Sequence, residues 1–260
     1  MKHANSIKQL ISCESKSRPV EVNTAVTQQI RLHLSILNEL GYEITARSLI
    51  LDFGCGEGQT VREYRNAGFE AFGVDLDLRA PTAYLRSIDT SNKYRIPFSD
   101  VTFDFVFSNS VFEHVQNYSE ALAEIWRVLK PGGFSLHFLP SKWSPIEPHV
   151  FVPLGGFLQS YPWLLLWAFI GVRNRFQKGL RFTEVADRNY EYLKNRTHYL
   201  SSSEIYKHIL AHFSNVISAE KHLIKHSYGR ARYLNRLIRV GPFIISFYRL
   251  LHWRVIFFTK

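Results

Sequence analysis

An apolar run that leads straight into a glycine-rich turn constrains this chain more than any other feature of its sequence. The run is Ser48–Phe53, and Gly54, Gly56 and Gly58 follow it at alternate positions. The run predicts a buried strand, and glycines at this spacing allow a tight turn to bring its bare backbone close to a ligand. A helical pattern over Gln59–Ala67 follows at once, so the sequence predicts a strand, a ligand-binding turn and a helix in succession.

An acidic residue stands at the end of the next predicted strand. That strand is Glu70–Val74, and Asp75 follows it. In a strand–turn–helix–strand unit, a carboxylate at this place accepts hydrogen bonds from ribose hydroxyls. The sequence therefore predicts an α/β unit that binds a nucleoside.

The glycine turn differs from one that binds a dinucleotide. Dinucleotide turns carry a third small residue that packs the helix against the strand, with the pyrophosphate at the helix N-terminus, and here that position is Gln59. Asp52 precedes the first glycine by two residues, where a carboxylate would repel a pyrophosphate and attract a cation. A simpler role for Asp52 is to cap the loop. With either role, the pattern disfavours NAD as the ligand.

Five ordered motifs resemble those of class I S-adenosylmethionine-dependent methyltransferases, of the methyltransferase type 11-like group. The first two are Leu51-Asp52-x-Gly54-x-Gly56-x-Gly58 and Gly73-Val74-Asp75. The later three are Ile96-Pro97-Phe98-x-Asp100-x-x-Phe103-Asp104-x-Val106, Val111-Phe112-Glu113-His114-Val115 and Glu124-x-x-Arg127-Val128-Leu129-Lys130-Pro131-Gly132-Gly133. The resemblance covers the chain from Ser48 to Pro140.

The resemblance implies a fold, a cofactor and a set of cofactor contacts. The fold is α/β, a doubly wound Rossmann-like seven-stranded sheet that is mostly parallel with an antiparallel last strand. The cofactor is S-adenosyl-L-methionine. Its expected contacts are Asp52, Gly54, Cys55, Gly56 and Gly58 around the methionine end, Asp75 at the ribose, Leu76 and Asp89 at the adenine, and Ser108 and Asn109 near the sulfonium. The family's reaction needs no metal and the chain has no HExxH motif or paired CxxC motifs, so we expect no metal.

Strand and helix patterns alternate over the first half of the chain. A helical period over Thr24–Leu40 ends at Gly41, which we expect as its C-cap. Further elements are expected as a short helix at Asp77–Arg86, a third strand around Ser87–Asp89, a fourth strand at Phe103–Ser108, a helix at Ser119–Leu129 and a fifth strand at Phe134–Leu139. This rhythm predicts a parallel sheet with its ligand at the carboxyl ends of the strands.

After Pro140 the alternation stops and later resumes. Ser201-x-x-Glu204 is a capping box that predicts a helix to about Phe213. The remaining predictions are a sixth strand at Asn215–His226, two short helices within Arg230–Leu251 broken at Gly241-Pro242, and a seventh strand at Trp253–Thr259. The expected domains are a polar lead-in (1–23), the cofactor-binding core (24–140), a substrate or lid insertion (141–200) and a C-terminal completion of the sheet with basic amphipathic helices (201–260).

Histidines near the carboxyl ends of the predicted strands are the candidate catalytic residues. His is the side chain best suited to act as a general base near neutral pH. His114 follows the fourth strand and His149 follows the fifth, where Glu147 is placed either to orient His149 or to bind a hydroxyl directly. Structural roles are the alternative for both histidines: support of the loop for His114, and packing or a turn beside Pro148 for His149.

The insertion is rich in aromatic residues. The residues concerned are Trp143, Phe151, Phe157, Trp163 and Trp167. We expect them to form the acceptor pocket or its lid, because small-molecule sites are mostly apolar. Ordinary core packing is the alternative. The uncharged stretch Val150–Val172 contains prolines and glycines, and its unbroken apolar part is too short to span a bilayer. A lid or a helix lying on a membrane surface fits it better.

The positive charge is concentrated in the C-terminal part of the chain. The net charge is +10, and Gly171–Lys260 holds 17 Lys and Arg against 5 Asp and Glu. Such asymmetry predicts an anionic partner: a small-molecule acceptor that is phosphorylated, an anionic membrane surface or, less favoured, nucleic acid. A merely solvated basic face is the alternative.

Location follows from the cysteines and the opening segment. Two cysteines form no disulfide framework, and Met1–Val22 lacks an apolar targeting segment. We therefore expect a cytoplasmic protein, with peripheral contact to the inner face of a membrane as the variant.

Function is expected to be methyl transfer to a small acceptor of glycan, lipid-linked or isoprenoid type. The alternatives are an RNA methyltransferase that uses the basic C-terminal half, and a non-catalytic protein that keeps the S-adenosylmethionine-binding fold.

Overall fold

Seven strands form one sheet in the computed structural model, which describes residues 24–89, 91, 94–227, 241 and 243–260 and the side chains from residue 28 onward. The predicted lead-in (1–23) and residues 230–240, where the first of the two C-terminal helices was predicted, lie outside the described residues. The strand order is β3-β2-β1-β4-β5-β7-β6. The strands are β1 (Leu49–Phe53), β2 (Glu70–Asp75), β3 (Leu85–Ser87), β4 (Phe103–Asn109), β5 (Leu129–Pro140), β6 (Ser214–Ser218) and β7 (Trp253–Thr259).

Among these strands, β7 alone runs opposite to the other six. It pairs antiparallel with both β5 and β6, whereas the pairs from β3 to β5 are parallel. The helices are α1 (Thr24–Glu39), α2 (Gln59–Asn66), α3 (Tyr118–Val128), α4 (Tyr161–Ile170), α5 (Phe182–Arg196), α6 (Ser202–Leu210), α7 (Glu220–His226) and α8 (Phe243–Leu251). This architecture confirms the predicted α/β, Rossmann-like sheet with an antiparallel last strand.

The central strands are apolar on both faces because both faces are covered by helices. Ile50 of β1 lies beside Phe105 of β4, and the pair packs into a core layer that α1 and α2 cover. The next residues along, Leu51 and Val106, point to the opposite layer, which α3 and α6 cover. The sheet therefore lies between two apolar layers, and its carboxyl edge is left for the site.

The predicted helix at Asp77–Arg86 is wrong. Leu85 begins the short strand β3 and pairs with Gly73 of β2. Ahead of it, the hydroxyl of Thr82 accepts hydrogen bonds from the backbone N–H groups of Tyr84 and Leu85. This local side-chain bonding competes with a helix, and burial of Leu85 in the core layer of α1 and α2 favours the strand. The third strand thus lies at Leu85–Ser87 rather than around Ser87–Asp89.

The predicted sixth strand is correct only in its first part. After β6 the chain turns into helix α7, where a strand was predicted to continue to His226. Leu223 and Ile224 are buried on its inner side, and His222 pairs with Glu39 of α1 at 2.6 Å. Tertiary contacts on one face of a short amphipathic segment therefore decide its conformation.

The insertion after β5 contains two helices, α4 and α5, that pack against each other. Their core is small, and Trp163 and Trp167 border it as partly buried residues. The indole N–H of Trp163 donates to the backbone oxygen of Pro153 at 2.8 Å. In the described part of the chain, every helix is too short or too polar to cross a bilayer.

The capping box that was predicted at Ser201 is confirmed, and the helix it opens ends at Leu210 rather than near Phe213. Ser201 Oγ accepts from the backbone N–H of Glu204, and the Glu204 carboxylate accepts from the backbone N–H of Ser201 at 2.7 Å. These bonds satisfy donors that would otherwise be orphaned at the helix start.

Removing this cap provides a test of α6. We expect Ser201→Ala to lower the free energy of unfolding by about 1 kcal/mol, because an N-cap hydroxyl contributes about that much. Urea denaturation measures the change. Ser202→Ala in the same turn is the control and should leave the midpoint nearly unchanged; equal midpoints for Ser201→Ala and the parent would contradict the assignment.

Candidate functional site

The glycine turn after β1 is held by the end of β2. The backbone N–H groups of Gly54 and Cys55 both donate to the carbonyl oxygen of Val74, at 2.8 and 3.0 Å. The Asp75 carboxylate accepts from the backbone N–H of Gly56 at 2.7 Å. The turn is therefore fixed at the carboxyl edge of the sheet by one main-chain and one side-chain acceptor.

Gly54 could not be replaced by a larger residue without strain. Its φ is +81°, in the left-handed region, and a Cβ there would lie 2.3 Å from a methyl carbon of Val111. The loop after β4 therefore packs directly on the bare backbone of the turn, which requires a residue without a Cβ at this position.

A cleft of about 670 Å³ opens beside the turn. Its walls come from four places in the chain: the ends of β1 and β2, the segment after β3, the loop after β4, and the end of α5. Residues from these walls are, in chain order, Gly54, Asp75, Leu76, Ile88, Val111, Tyr192 and Arg196. The volume lies within the usual range for small-molecule and cofactor sites.

Three of the predicted cofactor residues line this cleft and the others lie around or outside it. Gly54, Asp75 and Leu76 line it. Cys55, Gly56 and Gly58 lie in the turn, Asp52 is buried before the turn, and Asp89 follows Ile88, which lines the cleft. Asp89 accepts hydrogen bonds from the backbone and the hydroxyl of Ser91.

Ser108 and Asn109, which were predicted to lie near the sulfonium, do not line this cleft. Ser108 is fully buried and its hydroxyl lies 2.7 Å from Nδ1 of His137 on β5. Asn109 borders a separate cleft with His33 of α1. The next residues, Ser110 and Val111, line the cleft in their place. A strand that runs one residue further than predicted accounts for this shift.

Asp52 brings a second carboxyl close to Asp75. Asp52 is 4% exposed. Its burial, reinforced by the negative charge of Asp75, raises the pKa of the Asp52 carboxyl to about 8. A buried carboxyl of this kind favours a neighbouring cation, because a positive charge offsets the cost of ionising it.

The three predicted catalytic residues lie together on the other side of the cleft. The rings of His114 and His149 are 4.8 Å apart, centroid to centroid. His149 Nδ1 lies 2.6 Å from Oε1 of Glu147, so Glu147 is placed to orient His149, one of the two roles predicted for it. These roles in catalysis stay predictions.

Glu147 is fully buried and joins several parts of the insertion. Its carboxylate accepts from the backbone N–H groups of His149 and Val150, both at 2.7 Å, and from the hydroxyl of Tyr199, also at 2.7 Å. Burial acts to raise the pKa of the Glu147 carboxyl, but the hydrogen bonds from His149, Tyr199 and Val150 outweigh it and lower the pKa. Glu147 is therefore a stable anion with its oxygens occupied.

Glu113, which was quoted only as part of a motif, belongs to the same cluster. It is 1% exposed, and neither carboxylate oxygen has a hydrogen-bond partner among the described residues. Burial raises the pKa of this carboxyl to about 7. An acidic residue within an apolar stretch and beside a histidine was the sequence signal for it.

The end of α5 holds the cluster against the loop after β4. His114 Nδ1 lies 2.6 Å from the carbonyl oxygen of Arg196, and the backbone N–H of His198 donates to the carbonyl oxygen of Glu113 at 2.6 Å. These bonds join residues that are more than 80 positions apart. No local sequence signal indicates such a contact, so Tyr192 and Tyr199 were missed.

A second cleft, of about 600 Å³, lies in the insertion beside His149 and Tyr192. Its walls are largely apolar, with Val150, Phe151 and Phe176, and its charged residues are Arg175 and Arg188. His149 therefore borders the second cleft, while His114 borders the first.

The five aromatic residues that the sequence singled out in the insertion take different positions. Trp163 and Trp167 border the small core of the insertion. Phe151 lines the second cleft. Trp143 and Phe157 stack on each other at 4.3 Å and remain partly exposed.

Asp52 provides a test of the site's electrostatics. Between about pH 4 and pH 8 the folded protein retains a proton that the unfolded chain has lost, so its stability falls as the pH rises through this window. Asp52→Asn cannot ionise and should remove that slope. At pH 8.5 we expect the free energy of unfolding of the ligand-free variant to exceed that of the parent by several kcal/mol, with an upper bound of about 5 kcal/mol from the size of the pKa shift, and we expect little difference at pH 4.

The measurement is urea unfolding at several pH values, with Glu57→Gln, an exposed residue of the same loop, as the control. A parent and an Asp52→Asn variant with parallel pH profiles would contradict the burial of a titrating carboxyl at this position.

Known proteins resemble this chain over the motif-bearing region. The model of the family described as "Methyltransferase domain" matches residues 51–136. Malonyl-[acyl-carrier protein] O-methyltransferase of Erwinia billingiae is 32% identical over 113 residues, which cover 38% of this chain and 45% of that protein. A probable S-adenosylmethionine-dependent methyltransferase of Mycolicibacterium smegmatis is 28% identical over 131 residues, covering 45% of this chain and 50% of that protein.

A solved structure extends the likeness to nearly the whole fold. The chain superposes on a SAM-dependent methyltransferase from Archaeoglobus fulgidus with a TM-score of 0.50 and 14% identity, covering 92% of this chain and 95% of the other. At that identity the likeness shows the fold alone. The chain spans about half the length of the two curated relatives. The matched family model and the ordered motifs show that residues 51–136 resemble the methyltransferase domain of class I S-adenosylmethionine-dependent enzymes, and the shared sheet shows the same fold.

Proposed function

We propose that the protein transfers a methyl group from S-adenosyl-L-methionine to a small-molecule acceptor. One observation carries the proposal: a single cleft is bordered on one side by the glycine turn with Asp75 and on the other by His114. Donor and acceptor chemistry would then meet across one opening, as methyl transfer requires.

The cofactor half fits the charge and shape of S-adenosylmethionine. Asp75 uses its two oxygens on the backbone N–H groups of Gly56 and Asp77, and each carboxylate oxygen keeps a further lone pair for a ribose hydroxyl. The bare backbone at Gly54 allows a close approach. The buried Asp52 carboxyl, whose pKa is about 8 without ligand, would ionise more readily beside the ammonium or sulfonium of the cofactor, because a nearby cation offsets the cost of the buried charge.

In methyl transfer the protein itself forms no covalent bond with either reactant. A lone pair of the acceptor forms a bond to the methyl carbon while the carbon–sulfur bond breaks and its electron pair stays on sulfur. The sulfonium becomes the neutral sulfur of S-adenosylhomocysteine, and an O–H or N–H acceptor loses a proton. The protein's part is to align the two reactants and exclude water.

The acceptor we favour is apolar with one anionic or strongly hydrogen-bonding group. The second cleft supports this, because apolar walls are combined with Arg175 and Arg188. Asn189 adds a donor there: its Nδ2 is buried without a partner among the described residues. A lipid-linked or isoprenoid-type acceptor has this combination. The relative named for malonyl-[acyl-carrier protein] suggests an acid carried on a protein as a further type.

Cofactor binding is the first test. We expect Asp75→Asn to weaken S-adenosylhomocysteine binding by about 10- to 100-fold, since a hydrogen bond to a charged group contributes about 1.5–3 kcal/mol. Isothermal titration calorimetry measures the affinity, and Glu57→Gln is the matched control with an acid removed from the same loop. Unchanged affinity in Asp75→Asn would contradict the ribose contact, and a parent that binds no cofactor would favour the non-catalytic alternative.

Acceptor class is the second test. The parent, incubated with radiolabelled S-adenosylmethionine, should label an apolar acid or an isoprenyl phosphate from a panel that also contains an acyl-carrier-bound acid, a glycan and total RNA. Arg188→Gln should raise the acceptor KM with little change in kcat, because Arg188 borders the second cleft and lies away from the glycine turn. Label appearing only in RNA would replace this proposal with the RNA methyltransferase.

A further inference from the structure

The carboxylate of Glu113 is buried without a hydrogen-bond donor. The residue is 1% exposed, and both of its oxygens lack a partner among the described residues. An unpaired polar group at this depth costs free energy, and such groups are rare in folded proteins. Glu147, the buried acid of the insertion, differs because it accepts four hydrogen bonds. The described residues therefore leave the Glu113 carboxyl without the hydrogen-bond donor or cation that a buried acid requires.

Two histidines lie beside this carboxylate. One ligand atom from each of Glu113, His114 and His149 lies within 4.8 Å of the others. Nδ1 of His114 is taken by the carbonyl oxygen of Arg196, and Nδ1 of His149 by the carboxylate of Glu147, both at 2.6 Å. The free nitrogen of each ring is then Nε2.

This bonding of the second ring nitrogen is characteristic of histidines that bind metals. A ligating histidine donates its other N–H to a backbone carbonyl or a carboxylate, which fixes the tautomer and the ring orientation. His114 has the carbonyl partner and His149 has the carboxylate partner. Both rings are therefore already oriented by groups outside the cluster.

We propose that Glu113, His114 and His149 form a binding site for one divalent first-row transition-metal ion, such as Zn²⁺, Mn²⁺ or Fe²⁺. Two imidazoles and one carboxylate are the ligand set that suits these ions and leaves coordination positions open. Ligands about 2.1 Å from an ion stand about 3 Å apart. The three side chains therefore close by roughly 1 Å each on binding.

The open positions would lie between the two clefts, because His114 borders the first and His149 the second. This step rests on the proposed function: the ion would bind a hydroxyl oxygen of the acceptor and lower the pKa of that hydroxyl. His114 and His149 then serve as ligands rather than as the general bases predicted from the sequence. The expectation of a metal-free reaction would also be replaced.

A second cluster with two histidines and a glutamate also contains a lysine, which the proposed metal site does not. Glu39 pairs with His222 at 2.6 Å and with His226 at 3.0 Å, but Lys225 pairs with the same carboxylate. The ammonium group already neutralises that acid and would repel a cation. The cluster of Glu39, His222 and His226 is therefore a matched control with the same residue types.

The test measures metal binding without any methyl acceptor. The full chain is treated with EDTA, desalted and titrated with Co²⁺, whose visible absorption reports nitrogen coordination, and then with Zn²⁺ as competitor; Mg²⁺ alone is a separate arm. We expect one Co²⁺ per chain, displaced by Zn²⁺, with a higher melting temperature. Glu113→Gln and His149→Asn should each weaken binding by about 10- to 100-fold or more, while His226→Asn should bind like the parent.

Three outcomes would overturn the site: no saturable Co²⁺ binding by the parent, equal binding by Glu113→Gln, or loss of binding in His226→Asn alone. Glu113→Gln keeps the size of the side chain and decides the question if His149→Asn fails to fold. S-adenosylhomocysteine calorimetry on the same samples separates the two proposals. Cofactor binding without Co²⁺ binding rejects the metal site, and Co²⁺ binding without cofactor binding rejects the proposed function.

Discussion

The hydrogen bond from the backbone N–H of Gly56 to the carboxylate of Asp75 fixes the geometry on which the site is built. It holds the glycine turn against the end of β2, and the same turn supports the loop after β4 through the contact of Gly54 with Val111. The loop in turn carries Glu113 and His114. Displacing the turn would therefore disturb both sides of the cleft. Asp52 is buried behind the turn, and the raised pKa of its carboxyl means that a nearby cation would favour its ionised form.

The insertion completes the other side through a small number of polar contacts. Glu147 gathers His149, Val150 and Tyr199 around one buried carboxylate, and the end of α5 is bonded to the loop after β4. The two clefts meet at the histidines held by these contacts. On the proposed function, the insertion would select the acceptor, because the residues assigned to the acceptor side lie almost entirely outside the sheet.

Most of the fold could be predicted from the sequence, and the failures have identifiable physical causes. Buried strands such as β1 and β4 are apolar on both faces and are bounded by turn residues, so their pattern is unambiguous. The segment Asp77–Arg86 and the residues after β6 are short, and a short amphipathic segment fits either a helix or a strand. Pairing of Leu85 with β2 decided the first, and packing of Leu223 and Ile224 decided the second. Asp75 could be placed at the site because it directly follows a strand.

Local order along the chain was enough to specify the βαβ core, the glycine turn with Asp75 at its edge, and the capped helix α6, because each depends on neighbours within a few residues or on a regular period. The tertiary structure alone decided that Glu113, His114 and His149 form one cluster, that Glu147 orients His149, and that Tyr192 borders both clefts. Those contacts join segments that are tens of residues apart in the chain. Their free energy comes from packing and charge in three dimensions, and such contacts produce no periodic pattern in the sequence.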